Sequence, residues 1–272
     1  MKKRLSEIHP IFYHARVWQM RLSRKLADAR KRVAFACEQQ TGRLPFTVKN
    51  HQSLLRRRLG TLDMRFQENK VTNLELARAS IDGLLIRPGE TFSFWRRVGK
   101  TTAEKGYLEG LQLSRGEIKT GIGGGLCQLA NLLLWMAFHS PLKIAERHHH
   151  SFDPFPDDRR VLPFGSGASV FYNYIDLRFF NPTENTFQFR VRLTDEHLKG
   201  SLLCEKELPH TYHVFEKNHQ FVQKDGRNYR ENEIWRAHFD RRTGNRTDEE
   251  ILVKNFAEVK YELNFAPQAC NL

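Results

Sequence analysis

Apolar residues recur at spacings of three and four over residues 11–38. Ala15, Trp18, Leu22, Leu26, Ala29, Val33 and Cys37 fall on one face and Arg21, Arg24 and Arg32 on another, which is the period of an amphipathic helix. Gly42 and Pro45 break the pattern within TGRLPF. A second short helix is expected over Lys49–Leu59, with Leu54, Leu55 and Leu59 inward and Gly60 at its end. Thr72 and Glu75 fit a capping box, so a third helix is expected from Thr72 to Asp82-Gly83. LLIRPGETFSF reads as two short strands around Pro88-Gly89. An apolar helix follows from about Leu126 to Phe138, then a strand from Leu142 to His150. SVFYNYIDLRFFN is expected to be a strand by its aromatic and β-branched content, and Phe187–Leu193 by its alternation. After Ser201 the chain is polar and β-rich, with hairpin turns expected at Asp225-Gly226 and Thr243-Gly244-Asn245.

These patterns predict an α+β fold in three parts. The first is an N-terminal helical module (residues 1–62). The second is a mixed α/β core (63–200) built on a glycine loop, a cysteine helix and a histidine strand, and the third is a β-rich C-terminal part (201–272). The net charge of +13 is almost wholly N-terminal, because the first 60 residues carry 15 Lys and Arg against 3 acids. A basic amphipathic helix suits peripheral contact with an anionic membrane through residues 11–38. Nucleic acid is the weaker reading, since no recognised nucleic-acid motif accompanies the charge. The longest apolar run, Leu132–Phe138, is far short of the roughly 20 residues of a spanning helix, and no secretory signal is visible. A cytoplasmic protein is expected, one that could lie peripherally on the inner face of the membrane. The cysteines (Cys37, Cys127, Cys204, Cys270) are widely spaced and suggest no disulfide framework.

The candidate chemistry lies in GIGGGLCQ and ERHHHS. Gly123, Gly124 and Gly125 lead to Cys127 at a helix start, where free N–H groups and the helix dipole favour a thiolate and an oxyanion. The competing reading is a tight turn before a small buried cysteine. In a strand His148 and His150 share a face with Glu146, while Arg147 and His149 point away. A nucleophile would then be Cys127, with His148 or His150 as base. Asp176 would orient the base, with Asp153 as a rival. The glycine loop, Gln128, Glu146 and Arg147 could instead bind an anionic or peptide ligand without catalysis. Cys127, His148 and His150 could also make an open zinc site, although no conventional zinc spacing is present.

NLELARASIDGLLIRPGETFSFWRRVGKTTAEKGY, GGGLCQ, ERHHHS and IDLRFFN occur in that order and together resemble the VanW family over about residues 70–195. Departures are His149, Ala130, Asn131 and Gly167, where the family usually has proline, small hydroxyl residues and an acid. The resemblance implies a link to cell-wall biology and glycopeptide resistance, without a defined reaction. The order of glycine loop, cysteine helix and histidine strand is also similar to transglutaminase-like and papain-like thiol enzymes. A small-molecule or peptide substrate, such as a cell-wall precursor, is the expected partner.

Overall fold

A computed structural model describes residues 10–56, 63–114, 117–149, 152–153, 162–172 and 175–262. Helix α1 spans Pro10–Arg30, shorter than the 11–38 expected. It stops where Arg32 takes a left-handed conformation (φ 49). Beyond it the backbone finds partners other than its own turns: Thr91 N–H donates to Ala34 O at 2.8 Å, Ala36 N–H to Thr91 O at 3.0 Å and Leu85 N–H to Glu38 O at 2.9 Å.

The expected second helix is a strand. β1 (Phe46–Leu54) pairs antiparallel with β10 (His197–Cys204), from Phe46 opposite Cys204 to Leu54 opposite His197. Leu54 is exposed while Leu55 is buried, so the two leucines share no face. Leu59 and Gly60 lie outside the described residues. α2 starts at Arg65 rather than Thr72 and runs to Arg78. Thr72 is therefore mid-helix, and the start is marked by Arg65 N–H donating to Asp63 Oδ1 at 2.8 Å.

β2 (Leu85–Ile86) and β3 (Thr91–Ser93) flank the Gly89 turn as expected, but they join different sheets. α3 (Phe94–Val98) follows, capped by the Ser93 side chain, and β4 (Glu109–Ser114) and β5 (Glu117–Ile122) form a hairpin. α4 covers Cys127–Phe138, close to the expected span. The strand after it, β6, is only Lys143–Glu146, so His148 and His149 lie past its end. β7 is Phe152–Asp153, β8 Arg178–Phe180 and β9 Phe187–Leu193. Of the long strand expected over 169–181, the described residues form only β8, with an isolated Phe171–Ile175 bridge ahead of it.

The resulting α+β architecture is rich in strand. One sheet has the order β1-β10-β9-β2 and another β3-β8-β6. Three long strands, β11 (His210–Lys224), β12 (Arg227–Asp240) and β13 (Arg246–Val259), form an antiparallel sheet with β7 at its edge. Its first hairpin turns through Asp225 and Gly226, both with positive φ, as a two-residue hairpin requires.

α4 is the centre of the core. Leu129, Leu132, Leu133, Leu134, Met136 and Phe138 are buried, each burial being worth roughly 1.5–3 kcal/mol. The sheet comes close because β10 carries Gly200 opposite Leu132 and Met136, where a Cβ would lie 2.7 Å from the Met136 methyl. The C-terminal sheet completes the helix: buried Arg236 donates to the Phe138 and Ser140 carbonyls, placing a cation where the helix dipole is negative.

The N-terminal end of α4 is set by a backbone contact. A Cβ on Gly124 would lie 2.1 Å from the Gly110 carbonyl carbon, and one on Gly110 2.7 Å from Gly124 O. Gly124→Ala should cost more than about 2 kcal/mol or prevent folding, because both walls are backbone. Gly89→Ala, with φ 76 but open space around it, should cost about 1–2 kcal/mol. Urea unfolding of the two variants checks this, and equal losses would contradict the close-approach account.

Candidate functional site

The glycine loop is built against the β4–β5 hairpin. Fully buried Asn73 donates to Gly124 O at 2.9 Å and to Leu108 O at 3.0 Å, and accepts from Leu108 N–H at 2.8 Å. Gly123 and Gly125 both have positive φ and face Thr101 and Lys70. Gln128 Nε2 donates to Ser53 Oγ at 2.9 Å and Leu54 O at 2.8 Å, tying α4 to β1. Gly123, Gly124, Gly125 and Gln128 thus each make a close packing or hydrogen-bond contact within the fold.

Cys127 is half-buried at the first position of α4, a free thiol like Cys37 and Cys204. Its Sγ lies 4.0 Å from Val170 O. Burial pushes the thiol up, and its backbone hydrogen bonds offset this only in part. Desolvation therefore dominates at this thiol. Ser169, one residue earlier, donates its N–H to His148 O at 2.8 Å, and its own buried hydroxyl has no partner among the described residues. The 169–170 segment is bonded to both Cys127 and His148, which make no hydrogen bond to each other.

His148 pairs with Glu146 instead, Nε2 to Oε1 at 2.9 Å. His150 lies outside the described residues. Among those described, no cluster of three or more His, Cys, Asp or Glu is placed to hold a metal. Arg147 donates to Gly167 O at 2.9 Å, to the Gly165 carbonyl and to Asn255 at 3.3 Å. It clamps that loop to β13, and burial pulls its pKa down to about 10. Asp153 is not beside the histidines: it meets Arg230 of β12 at 3.3 Å and accepts from Tyr261 at 3.0 Å, buried in the C-terminal sheet.

The polar centre that does form gathers around Glu146 and Asp176. Asp176, buried, accepts from Ser93 Oγ at 2.6 Å, Trp95 N–H at 3.0 Å and Arg178 Nε at 2.9 Å. It orients β3, α3 and β8 rather than a histidine. Glu146 accepts from Arg24 Nη1 and Nη2 at 2.5 and 2.7 Å and from Asp176 N–H at 3.1 Å. Arg178 continues to Asp28 at 2.7 and 3.0 Å. Burial pushes the Glu146 carboxyl up, but the hydrogen bonds from His148 and Arg24 and the charge of Arg24 win and hold it at about 2.

Arg24 and Asp28 come from α1, along with Arg21, which donates to Tyr172 Oη at 3.0 Å. The helix therefore docks by its charged face and leaves Trp18, Leu22 and Leu26 at 68, 40 and 62% exposure. The sequence pattern pointed to Glu146 and Asp176 but missed Arg24, Asp28, Ser93 and Arg178 as their partners. Arg178 and Ser93 sit inside the recognised motifs, and that was the available signal. Beside this network lies a cavity of about 190 Å³ lined in part by Lys25, Phe35, Trp95, Arg96, Tyr172 and Asp176.

The chain is 37% identical over 201 residues to the vancomycin B-type resistance protein VanW of Enterococcus faecalis, covering 74% of this chain and 73% of that protein. The chain belongs to the VanW family. The family model described as VanW like protein matches residues 69–203, which include Cys127, Glu146, Asp176 and Arg178 but not α1. The chain is also 32% identical over 123 residues to the uncharacterized protein YoaR of Bacillus subtilis, 44% of this chain and 38% of that one. No solved structure matches it significantly.

Because Glu146 is held at about 2 against an ordinary value of 4.5, it stabilises the fold fully above pH 4.5, and this stability is lost as pH falls toward 2. Glu146→Gln should cost about 2–3 kcal/mol at neutral pH and flatten the acid limb of a stability–pH profile; an unchanged limb would contradict the network. Alkylation of Cys127 should titrate above the roughly 8.5 of a free thiol. Fast labelling that titrates below that value would restore the activated-nucleophile reading.

Proposed function

We propose that this VanW-family protein is a non-catalytic binding module for a peptide carrying a free carboxylate, such as a cell-wall precursor, and that it serves resistance to vancomycin as its Enterococcus relative's name describes. The observation that carries this reading is the cavity beside Asp176. Its acids are consumed by Arg24 and Arg178. Arg96 and Lys25 on the cavity wall have no acidic partner among the described residues, and Arg96 is stacked over Phe35 at 4.3 Å. Together with Arg21, which lines the same cavity and among the described residues meets only Tyr172, these cations beside the Trp95 and Tyr172 rings, themselves edge-on at 5.5 Å, suit a carboxylate on an apolar or peptide body. The thiol-enzyme alternative has less support: Cys127 has a raised pKa and is bonded to a carbonyl rather than to a histidine.

Titration calorimetry with a cell-wall precursor peptide tests the reading. Arg96→Ala and Lys25→Ala should each weaken binding about tenfold, and Cys127→Ala should leave it intact. Loss of vancomycin tolerance in Cys127→Ala with tolerance kept in Arg96→Ala would reverse the choice in favour of a thiol enzyme acting on an amide or ester.

The reading includes a place of action at an anionic membrane surface. The outward stripe of α1, Trp18, Leu22 and Leu26, is bordered by exposed Arg16, Lys25, Arg30 and Arg32, the make-up of an interfacial helix. Its charged inner face is already occupied, so lipid contact needs no undocking. Trp18→Ser/Leu26→Ser should abolish sedimentation with phosphatidylglycerol vesicles without lowering stability. Absence of wild-type binding at both low and high salt would remove the membrane from the account.

A further inference from the structure

The outer face of the β1-β10-β9 sheet carries a second polar groove, of about 540 Å³, that shares no residue with the centre around Glu146. Strand pairing places its side chains in rows: Asn50 opposite Ser201 opposite Arg190, and Gln52 opposite Lys199 opposite Arg192. The intervening row, His51, Gly200 and Val191, faces α4, so the two polar rows share the outward face. Arg43 lies at the rim.

The charge on this face is unbalanced in a specific way. Arg190 is neutralised: it meets both Asp82 carboxylate oxygens at 2.9 and 3.3 Å and donates to Thr41 O at 2.7 Å. Arg192, Lys199 and Arg43 have no acidic partner among the described residues. Arg192 and Lys199 are direct cross-strand neighbours, and like charges so placed destabilise a sheet. An anion placed between these like charges, beside neutral donors from Asn50, Gln52 and Ser201, would turn that repulsion into charge-assisted hydrogen bonding.

We propose that this groove binds a diphosphate group, with Arg192 and Lys199 sharing its two phosphates and Arg43 closing over one end. A single carboxylate would leave most of the positive charge uncompensated, whereas a diphosphate matches three cations. Strands about 4.8 Å apart set the two inner cations at a spacing that adjacent phosphates span. Among the described residues no Phe, Tyr or Trp lines the groove, and its one ring, His51, turns to Trp135 of α4, so a base would have no stacking platform, which favours the diphosphate itself over a nucleic-acid strand.

The test is calorimetric titration of the full chain with inorganic pyrophosphate, and with citrate as a non-phosphate polyanion, on wild type and on Arg192→Gln/Lys199→Gln. Pyrophosphate should bind wild type more tightly than citrate does. The double variant should lose about tenfold or more in affinity, while melting at the same or a higher temperature because the like-charge pair is gone. No pyrophosphate binding, equal citrate binding, or affinity unchanged in the folded double variant would each overturn the proposal. Pyrophosphate binding displaced by single-stranded oligonucleotide at equal charge concentration would assign the face to nucleic acid instead.

Discussion

Two carboxylates that leave bulk water set the terms for the rest of the molecule. Glu146 at the end of β6 and Asp176 ahead of β8 lie in contact, Asp176 N–H donating to Glu146 at 3.1 Å. Neither can be buried as an anion without compensation. Arg178 supplies part of it from the neighbouring strand position, and the rest comes from Arg24, far away in sequence. The need for that second cation is what brings α1 onto the core by its charged face. Asp28 then closes the circuit on Arg178, so the helix is held by a ring of charge-assisted hydrogen bonds rather than by apolar burial.

This mode of docking explains two otherwise separate features. The apolar stripe of α1 is left outward, because the helix has only one inner face and the ion network uses it. The cavity between α1, α3 and the chain near Tyr172 exists because long arginines, rather than close-packed leucines, span the gap. The rest of the core needs no such device. α4 is apolar on nearly all sides, and Gly124, Gly110 and Gly200 let backbone and sheet approach it directly.

Much of this architecture was legible in the sequence where the signal was local. The hairpin at Asp225-Gly226 is dictated by two positive-φ positions, α4 by an unbroken apolar run, and β9 by alternation of Phe187, Phe189 and Val191. The pattern over Lys49–Leu59 suits a helix; β1 forms there instead by pairing with β10, which lies far along the chain, and nothing in residues 46–54 encodes that pairing. α1 carries two stripes of helical period, one apolar through Trp18, Leu22 and Leu26 and one polar through Arg21, Arg24 and Asp28. Periodicity could find both but could not say which faces the core, because that choice is made by Glu146 and Asp176. The glycines before Cys127 looked like a ligand cradle, yet their task is set by Gly110 and Asn73, residues no local pattern connects to them. Glu146 and Asp176, expected beside a histidine base, meet Arg24, Arg178 and each other. Their roles shifted because parity along a strand does not predict which carboxylate a histidine will meet.

The central claim is that the buried carboxylates hold α1 in place. Hydrogen exchange over residues 17–28, compared between wild type and Glu146→Gln with β12 as the internal standard, tests it most directly. The account predicts that these amides are protected in the wild type and lose protection in the variant while β12 keeps its own. Free exchange of α1 in the wild type, or undiminished protection in Glu146→Gln, would contradict it.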